Sequence, residues 1–329
     1  MTDAAKIGLS VGETGSLVFT LLFVAPARLL AYWVTYTWFA LRHRLKLRFY
    51  LTCAVARVLL TSFSGRQIQA LLPSTRQTYE AWMRNQGLEA RVEPLAVEAA
   101  PESALLWIGD KQRATTAVLF FHGGGYVVPA SRGHLELCWR AFVQPSQGRV
   151  AVGLLQYSLS PGAKFPVQLR QAAAGLGALL DAGFSPRNIV FGGDSAGGNM
   201  ALQLMSHLLH PVDAAARRFS LAEPLAGVFL VSPANDMLSA SMVSRLGLEH
   251  FGPHTENLAA IGPFTPQWFQ DLHHMLAKLD PALDVRVDLP DDEAHDFILV
   301  EGINRTTGPA TRRMSDWLSS LRTLAAARP

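Results

Sequence analysis

The apolar positions of this chain are unevenly distributed, and the first long run of them lies near the N-terminus. From Ser16 to Leu41 the sequence reads SLVFTLLFVAPARLLAYWVTYTWFAL, in which Arg28 alone is charged. About 20 apolar residues in a helix cross a bilayer core, so the run predicts an apolar membrane anchor over 16–41 behind an N-terminal tail, 1–15. Tyr32, Trp33, Tyr36 and Trp38 crowd its second half, as at a membrane–water interface. Arg28 carries an insertion penalty of only ~3 kcal/mol, and Pro26 kinks an inserted helix without preventing insertion. A helix lying in the interface and a cap helix buried on the rest of the protein are the alternatives. A cleaved signal peptide fits less well, because the run is long and no A-x-A-like site follows it cleanly. Residues 42–101 predict amphipathic and cap or connecting helices. Their first part mixes Arg42, Arg44, Lys46, Arg48 and Arg57 with Leu, Phe, Tyr and Val, which suits either a helix resting on anionic lipid or one with a solvated basic face.

From about Glu102 the pattern changes to short apolar runs alternating with helical stretches, and 102–329 reads as one catalytic-sized domain. Thr116–Phe121, Val150–Gln156, Ile189–Phe191 and Ala226–Val231 are aliphatic or β-branched with little alternation, as in strands buried on both faces. Val167–Ala182 and Ala196–Leu209 predict helices between them, and Val285–Leu289 a late strand. Strands alternating with helices predict an α/β fold with a mostly parallel, doubly wound sheet.

Composition narrows the classes. The 329 residues carry 29 Lys+Arg against 26 Asp+Glu, a net charge of +3, which is too small a surplus for a dedicated nucleic-acid binder. Apolar residues make up 49% and charged ones 17%, which excludes a disordered chain. A mean hydropathy of +0.17 agrees with a lipid membrane as partner. Two cysteines, Cys53 and Cys138, make neither a disulfide framework nor a cysteine zinc site. Two topology signals conflict. The basic cluster after the apolar run favours a cytosolic C-terminal side, whereas the sequon Asn304-Arg305-Thr306 favours a lumenal, glycosylated one.

Two motifs carry chemistry. Gly193-Asp194-Ser195-Ala196-Gly197 is a G-x-S-x-G between a predicted strand and a predicted helix, the setting of a sharp turn that exposes a serine at a helix N-terminus. His122-Gly123-Gly124-Gly125-Tyr126 directly follows another predicted strand, where glycines let backbone N–H groups approach an oxyanion. His295 follows the late strand and comes after the serine, as the chain order serine, acid, histidine requires. The other histidines fit less well. His250 and His254 are separated by Gly252-Pro253, which breaks the helix that a zinc pair needs. His273 and His274 are adjacent and diverge, and His207 and His210 sit on the helix after the serine.

These motifs, together with Tyr157-Ser158-Leu159-Ser160-Pro161, Phe165-Pro166 and Ala294-His295-Asp296-Phe297, make the chain resemble the hormone-sensitive-lipase branch of the α/β-hydrolases. That branch includes arylacetamide deacetylases and fungal steryl acetyl hydrolases. The resemblance covers roughly residues 100–300. It implies Ser195 as nucleophile, His295 as general base, and the N–H groups of Gly124, Gly125 and Ala196 as oxyanion donors, with His122, Gly123 and Tyr126 lining the substrate site. Its membrane-bound members carry an N-terminal apolar helix, which implies a single-pass protein of the endoplasmic reticulum here. No metal or organic cofactor is implied.

The acid departs from the family pattern. The zone where the family places it reads Ile261-Gly262-Pro263-Phe264-Thr265-Pro266-Gln267 and has no carboxylate. The interval between Ser195 and His295 is also short for the family. Asp236, after the strand Ala226–Val231, and Asp271, on a predicted helix, are the two replacements. Gly162 is a second departure, standing where many members have glutamate. The implied reaction is hydrolysis of a small-molecule ester, an acetyl group on an apolar alcohol such as a sterol or secondary metabolite. A catalytically silent ligand-binding homologue and a non-hydrolytic biosynthetic enzyme are the alternatives.

Overall fold

The computed structural model describes residues 8–44, 47–211, 217–233, 286, 288 and 297–327. Among these residues the centre is a six-stranded mixed sheet in the order β1-β2-β4-β3-β5-β6, and the predicted late strand Val285–Leu289 lies, but for two positions, outside them. The strands are β1 (Arg91–Pro94), β2 (Ala104–Ile108), β3 (Thr116–Phe121), β4 (Val150–Gln156), β5 (Ile189–Asp194) and β6 (Gly227–Val231). Strands β4, β3, β5 and β6 run parallel, while β1 and β2 are antiparallel to their neighbours.

Strands β2 to β5 are buried almost throughout, and successive side chains pass to opposite faces. In β3, Ala117, Leu119 and Phe121 enter one core with Leu169 and Leu176 of α7 (Val167–Asp181) and Met200 of α8 (Ala196–Leu209). Val118 and Phe120 enter the other core, with Tyr79 and Trp82 of α5 (Thr75–Asn85), Leu135 of α6 (Arg132–Leu137) and Leu318 of α10 (Pro309–Ala327). Each such large apolar side chain stabilises the fold by about 1.5–3 kcal/mol through its removal from water.

The sheet begins before Glu102, inside the stretch expected to hold only connecting helices. β1 is a four-residue edge strand with charged residues and a proline, half exposed, so no apolar run marks it. α5 belongs to the core as well. The buried Tyr79 hydroxyl donates to the Trp107 carbonyl at 2.7 Å and accepts from the Arg91 N–H at 2.9 Å, pinning the helix to β1 and β2. Burial pushes that phenol up to about 12.

The N-terminal run forms a continuous helix from Val11 to Arg42, longer than the expected 16–41. It comprises α1 (Val11–Phe19), a π turn (Thr20–Val24) and α2 (Ala25–Arg42). By length and composition it could cross a membrane, and only 6% of its most apolar window is buried. α3 (Leu47–Ser62) packs beside α2, and α4 (Gly65–Leu71) follows.

At the other end of the chain, α9 (Phe297–Ile303) crosses α6. A Cβ on Gly302 would lie 2.5 Å from the Gly133 carbonyl oxygen, so the two backbones touch. Asn304 of the sequon is half buried, and its amide donates to the Val300 carbonyl at 2.7 Å. Glu301, 1% exposed, accepts from the N–H of Thr311 at 2.9 Å, the N–H of Ala310 at 3.3 Å and the Thr311 hydroxyl at 2.7 Å. It thereby closes the first turn of α10, where a negative charge is favoured. Glu301→Ala is expected to lower the urea midpoint by the equivalent of about 1–3 kcal/mol, because these buried donors lose their partner. An unchanged midpoint would show that α10 needs no such cap.

Candidate active site

Parallel pairing of β3 with β5 brings the two glycine motifs together. Phe120 pairs with Gly192 and Phe121 with Gly193, so His122 and Ser195 leave the same edge of the sheet side by side. Ser195 stands between β5 and α8, with φ 47° and ψ −115°, a region that L-residues rarely occupy. Its N–H is held by the Val231 carbonyl of β6 at 2.9 Å, and its carbonyl accepts from the Asn199 N–H at 3.0 Å. Both glycines of the elbow are dictated by a close approach. A Cβ on Gly193 would lie 2.0 Å from the Phe121 carbonyl oxygen, and one on Gly197 would lie 1.9 Å from the same atom. The result is a serine 8% exposed at a helix N-terminus, where N–H groups and the helix dipole favour negative charge.

The loop from His122 to Tyr126 lies against this serine. The Cβ position of Gly123 is 3.0 Å from Ser195 Cβ, and Gly124 turns with φ 103°, which spares that position a side-chain clash. Gly123 is the loop glycine that meets the elbow, next to Ala196, the first residue of α8. The flanking side chains hold the loop from behind. Tyr126 donates to Asn199 Oδ1 at 2.9 Å. Tyr157 donates to the His122 carbonyl at 2.8 Å and stacks on the imidazole at 4.3 Å between centroids. His122 is fully buried, and burial, with His134 nearby, lowers its pKa to about 3. It is therefore a neutral ring, whose Nδ1–H donates to the Gly123 carbonyl at 2.8 Å. His122 and Tyr126 point into the protein and shape the site through the backbone they support.

A second pair emerges that the sequence reasoning did not assign. Asp194, 0% exposed, lies 3.2 Å from Nε2 of His134 on α6. His134 Nδ1 accepts the Ser131 N–H at 2.9 Å, so Nε2 carries the proton and donates to the carboxylate. Asp194 Oδ1 has no hydrogen-bond partner among the described residues. Asp194 precedes the serine directly, and a Cβ on Gly123 would lie 2.2 Å from its Oδ2. One carboxylate thus packs against both motifs. Its place inside G-D-S-A-G was the only signal in the sequence. The buried Cys138 thiol is pushed well above its ordinary range by burial and then by Asp194, so it is no nucleophile. His207 on α8 is also packed, with Nε2 3.0 Å from the Arg217 carbonyl.

His295, Asp236 and Asp271 lie outside the described residues, as do His250, His254, His273 and His274. The described chain does approach two of them. β6 ends at Val231, five residues before Asp236, and α9 begins at Phe297, two residues after His295.

A serine elbow and a glycine loop at the carboxyl edge of a mostly parallel sheet define an α/β-hydrolase. A family model described as alpha/beta hydrolase fold matches residues 118–280, in line with this fold, and over that region the chain is similar to the hormone-sensitive lipases. It is 32% identical over 116 residues to ethyl acetate hydrolase of Pseudomonas putida, covering 34% of this chain and 36% of that one. Against arylacetamide deacetylase-like 3 of Mus musculus the identity is 32% over 100 residues, covering 29% and 24%. Human hormone-sensitive lipase is 30% identical over 167 residues, covering 46% and 15%. Among solved structures, a hyperthermophilic esterase of the archaeon Pyrobaculum calidifontis shares the fold with a TM-score of 0.52. Its identity is 17%, over 77% of this chain and 91% of that one. The matches to curated relatives span 15–37% of the relative's length.

Proposed function

We propose that this chain is a serine carboxylesterase that removes a short, acetyl-type acyl group from an apolar alcohol, of the sterol or secondary-metabolite class. Ser195 Oγ attacks the ester carbonyl while His295 takes its proton. The N–H groups of Gly124, Gly125 and Ala196 receive the oxyanion, and each such donor contributes about 10²–10³ in rate. Collapse expels the alcohol, protonated by His295, and leaves an acyl-enzyme on Ser195. Water activated by His295 then releases the acid. Asp236 orients His295, with Asp271 the alternative. His122, Gly123 and Tyr126 hold the lip on which the ester rests.

The observation that carries this reading is the strained Ser195, at φ 47°, pressed against a glycine loop that offers backbone donors. The ethyl acetate hydrolase and deacetylase-like relatives support the acyl class. The apolar helix from Val11 to Arg42 supports membrane attachment, in the endoplasmic reticulum on the family resemblance. Turnover of p-nitrophenyl acetate tests the reaction, and paired variants test the acid. Asp236→Asn is expected to lower kcat about 10⁴-fold and Asp271→Asn to leave it near wild type. The reverse pattern assigns the role to Asp271.

A further inference from the structure

Among the described residues, the long N-terminal helix is supported along one side. Glu13 pairs with Arg66 of α4 at 2.9 Å, and its carbonyl accepts from Gln67 at 3.1 Å. Leu17 and Ala25 pack on the core. The Arg28 guanidinium donates to the Thr61 carbonyl at 2.8 Å and to the Ser62 hydroxyl at 3.0 Å, so the charge within the apolar run closes the C-terminus of α3. Further along, Arg57 donates to the Tyr36 hydroxyl at 3.1 Å, and Phe39 meets Tyr50 at 5.7 Å between centroids. These contacts make α2 and α3 an antiparallel hairpin. On the opposite side Leu22, Phe23, Leu30, Trp33, Val34 and Trp38 are each more than half exposed.

Three features decide how such a face meets lipid. First, packing on the core reaches Ala25 and Arg28 holds the end of α3, and the fourteen residues from Leu29 to Arg42, which pair onward with α3, extend about 21 Å, short of a hydrocarbon core of ~30 Å. Second, α3 brings the chain back, and Phe63 after it is buried. Third, the hairpin tip carries Arg42, Arg44 and Arg48, costly at mid-bilayer but matched to anionic headgroups.

We propose that α1, α2 and α3 lie in the plane of one anionic phospholipid leaflet, with the outer face of the long helix among the acyl chains and the basic tip at the headgroups. The protein is then monotopic, with the N-terminus and the hydrolase domain on the same side. This inference rests on the proposal of a membrane attachment and is independent of the esterase chemistry. It also locates the site. Gln69 of α4 donates to the carbonyls of Val127 at 2.9 Å and Ser160 at 2.7 Å. One helix therefore separates the lipid face from the glycine loop, and an ester dissolved in the leaflet lies beside Ser195.

The test uses the full chain, made by cell-free synthesis with sealed vesicles of phosphatidylcholine and phosphatidylglycerol. Flotation measures binding, and protease cleavage of N- and C-terminal tags measures sidedness. Binding is expected, with both tags cleaved from outside. Trp33→Asp and Trp38→Asp should each weaken binding about tenfold or more, the loss of one buried aromatic, with p-nitrophenyl acetate turnover unchanged. Ser195→Ala should float like wild type, so failure of the esterase proposal and failure of this one are separable. A protected N-terminal tag would overturn the inference in favour of a spanning helix. Wild-type binding by both Trp variants, or self-association in place of flotation, would overturn it too.

Discussion

Ser195→Ala is expected to bring p-nitrophenyl acetate hydrolysis down to background, a loss of about 10⁶ in kcat where a serine nucleophile acts with its base as a unit. The oxyanion donors remain in the variant, so weak catalysis over water, of about 10³–10⁴, is the most that should survive. The structure makes the variant informative. The Ser195 backbone is held by Val231 and Asn199 at 2.9 and 3.0 Å, and neither bond uses the hydroxyl. Melting temperature and substrate-analogue binding should therefore stay near wild type while turnover disappears. Turnover that persists in a folded Ser195→Ala protein would remove Ser195 from the mechanism and with it the esterase proposal.

The second large effect is expected at His134. His134→Ala strips Asp194 Oδ2 of its donor, and Oδ1 already has no partner among the described residues. A buried carboxylate left without a partner costs about 3–5 kcal/mol. For a protein of this size that is a fall of about 4–7 °C in melting temperature. Because the carboxylate packs against Gly123 as well as preceding Ser195, kcat should fall more than KM rises. His134→Gln keeps an N–H donor within reach, and it should recover most of both losses. A stable, fully active His134→Ala protein would show that the elbow and the glycine loop hold each other without this pair.

Much of this arrangement was legible because it is local. The runs 116–121, 150–156 and the start of 189–194 are apolar on both faces, so they announced β3, β4 and β5. The helices after β4 and β5 were marked within a residue of their observed ends. The elbow could be read because a serine between glycines, after a strand and before a helix, has few other structural uses. What escaped notice depends on packing between distant segments. β1 is an edge strand with one half-exposed face and no hydrophobic period. His134 sits in an unremarkable helix, and its meaning arises only when α6 lays it on Asp194, 60 residues away in sequence. Arg28 read as a defect in an apolar run, because the α3 terminus that satisfies it lies 33 residues further on. In each case the local sequence is compatible with several environments, and tertiary contact selects among them.

The stretch from 234 to 296 is bracketed by two fixed points. On one side a Cβ at Gly198 would lie 2.9 Å from Pro233 Cβ, and on the other Gly302 abuts the Gly133 backbone. The carboxyl end of β6 is thereby keyed to the helix that follows Ser195, and α9 to the helix that carries His134. A side chain added at either glycine is expected to push these segments apart, so Gly198→Ala and Gly302→Ala should each lower stability by about 1–3 kcal/mol through overpacking.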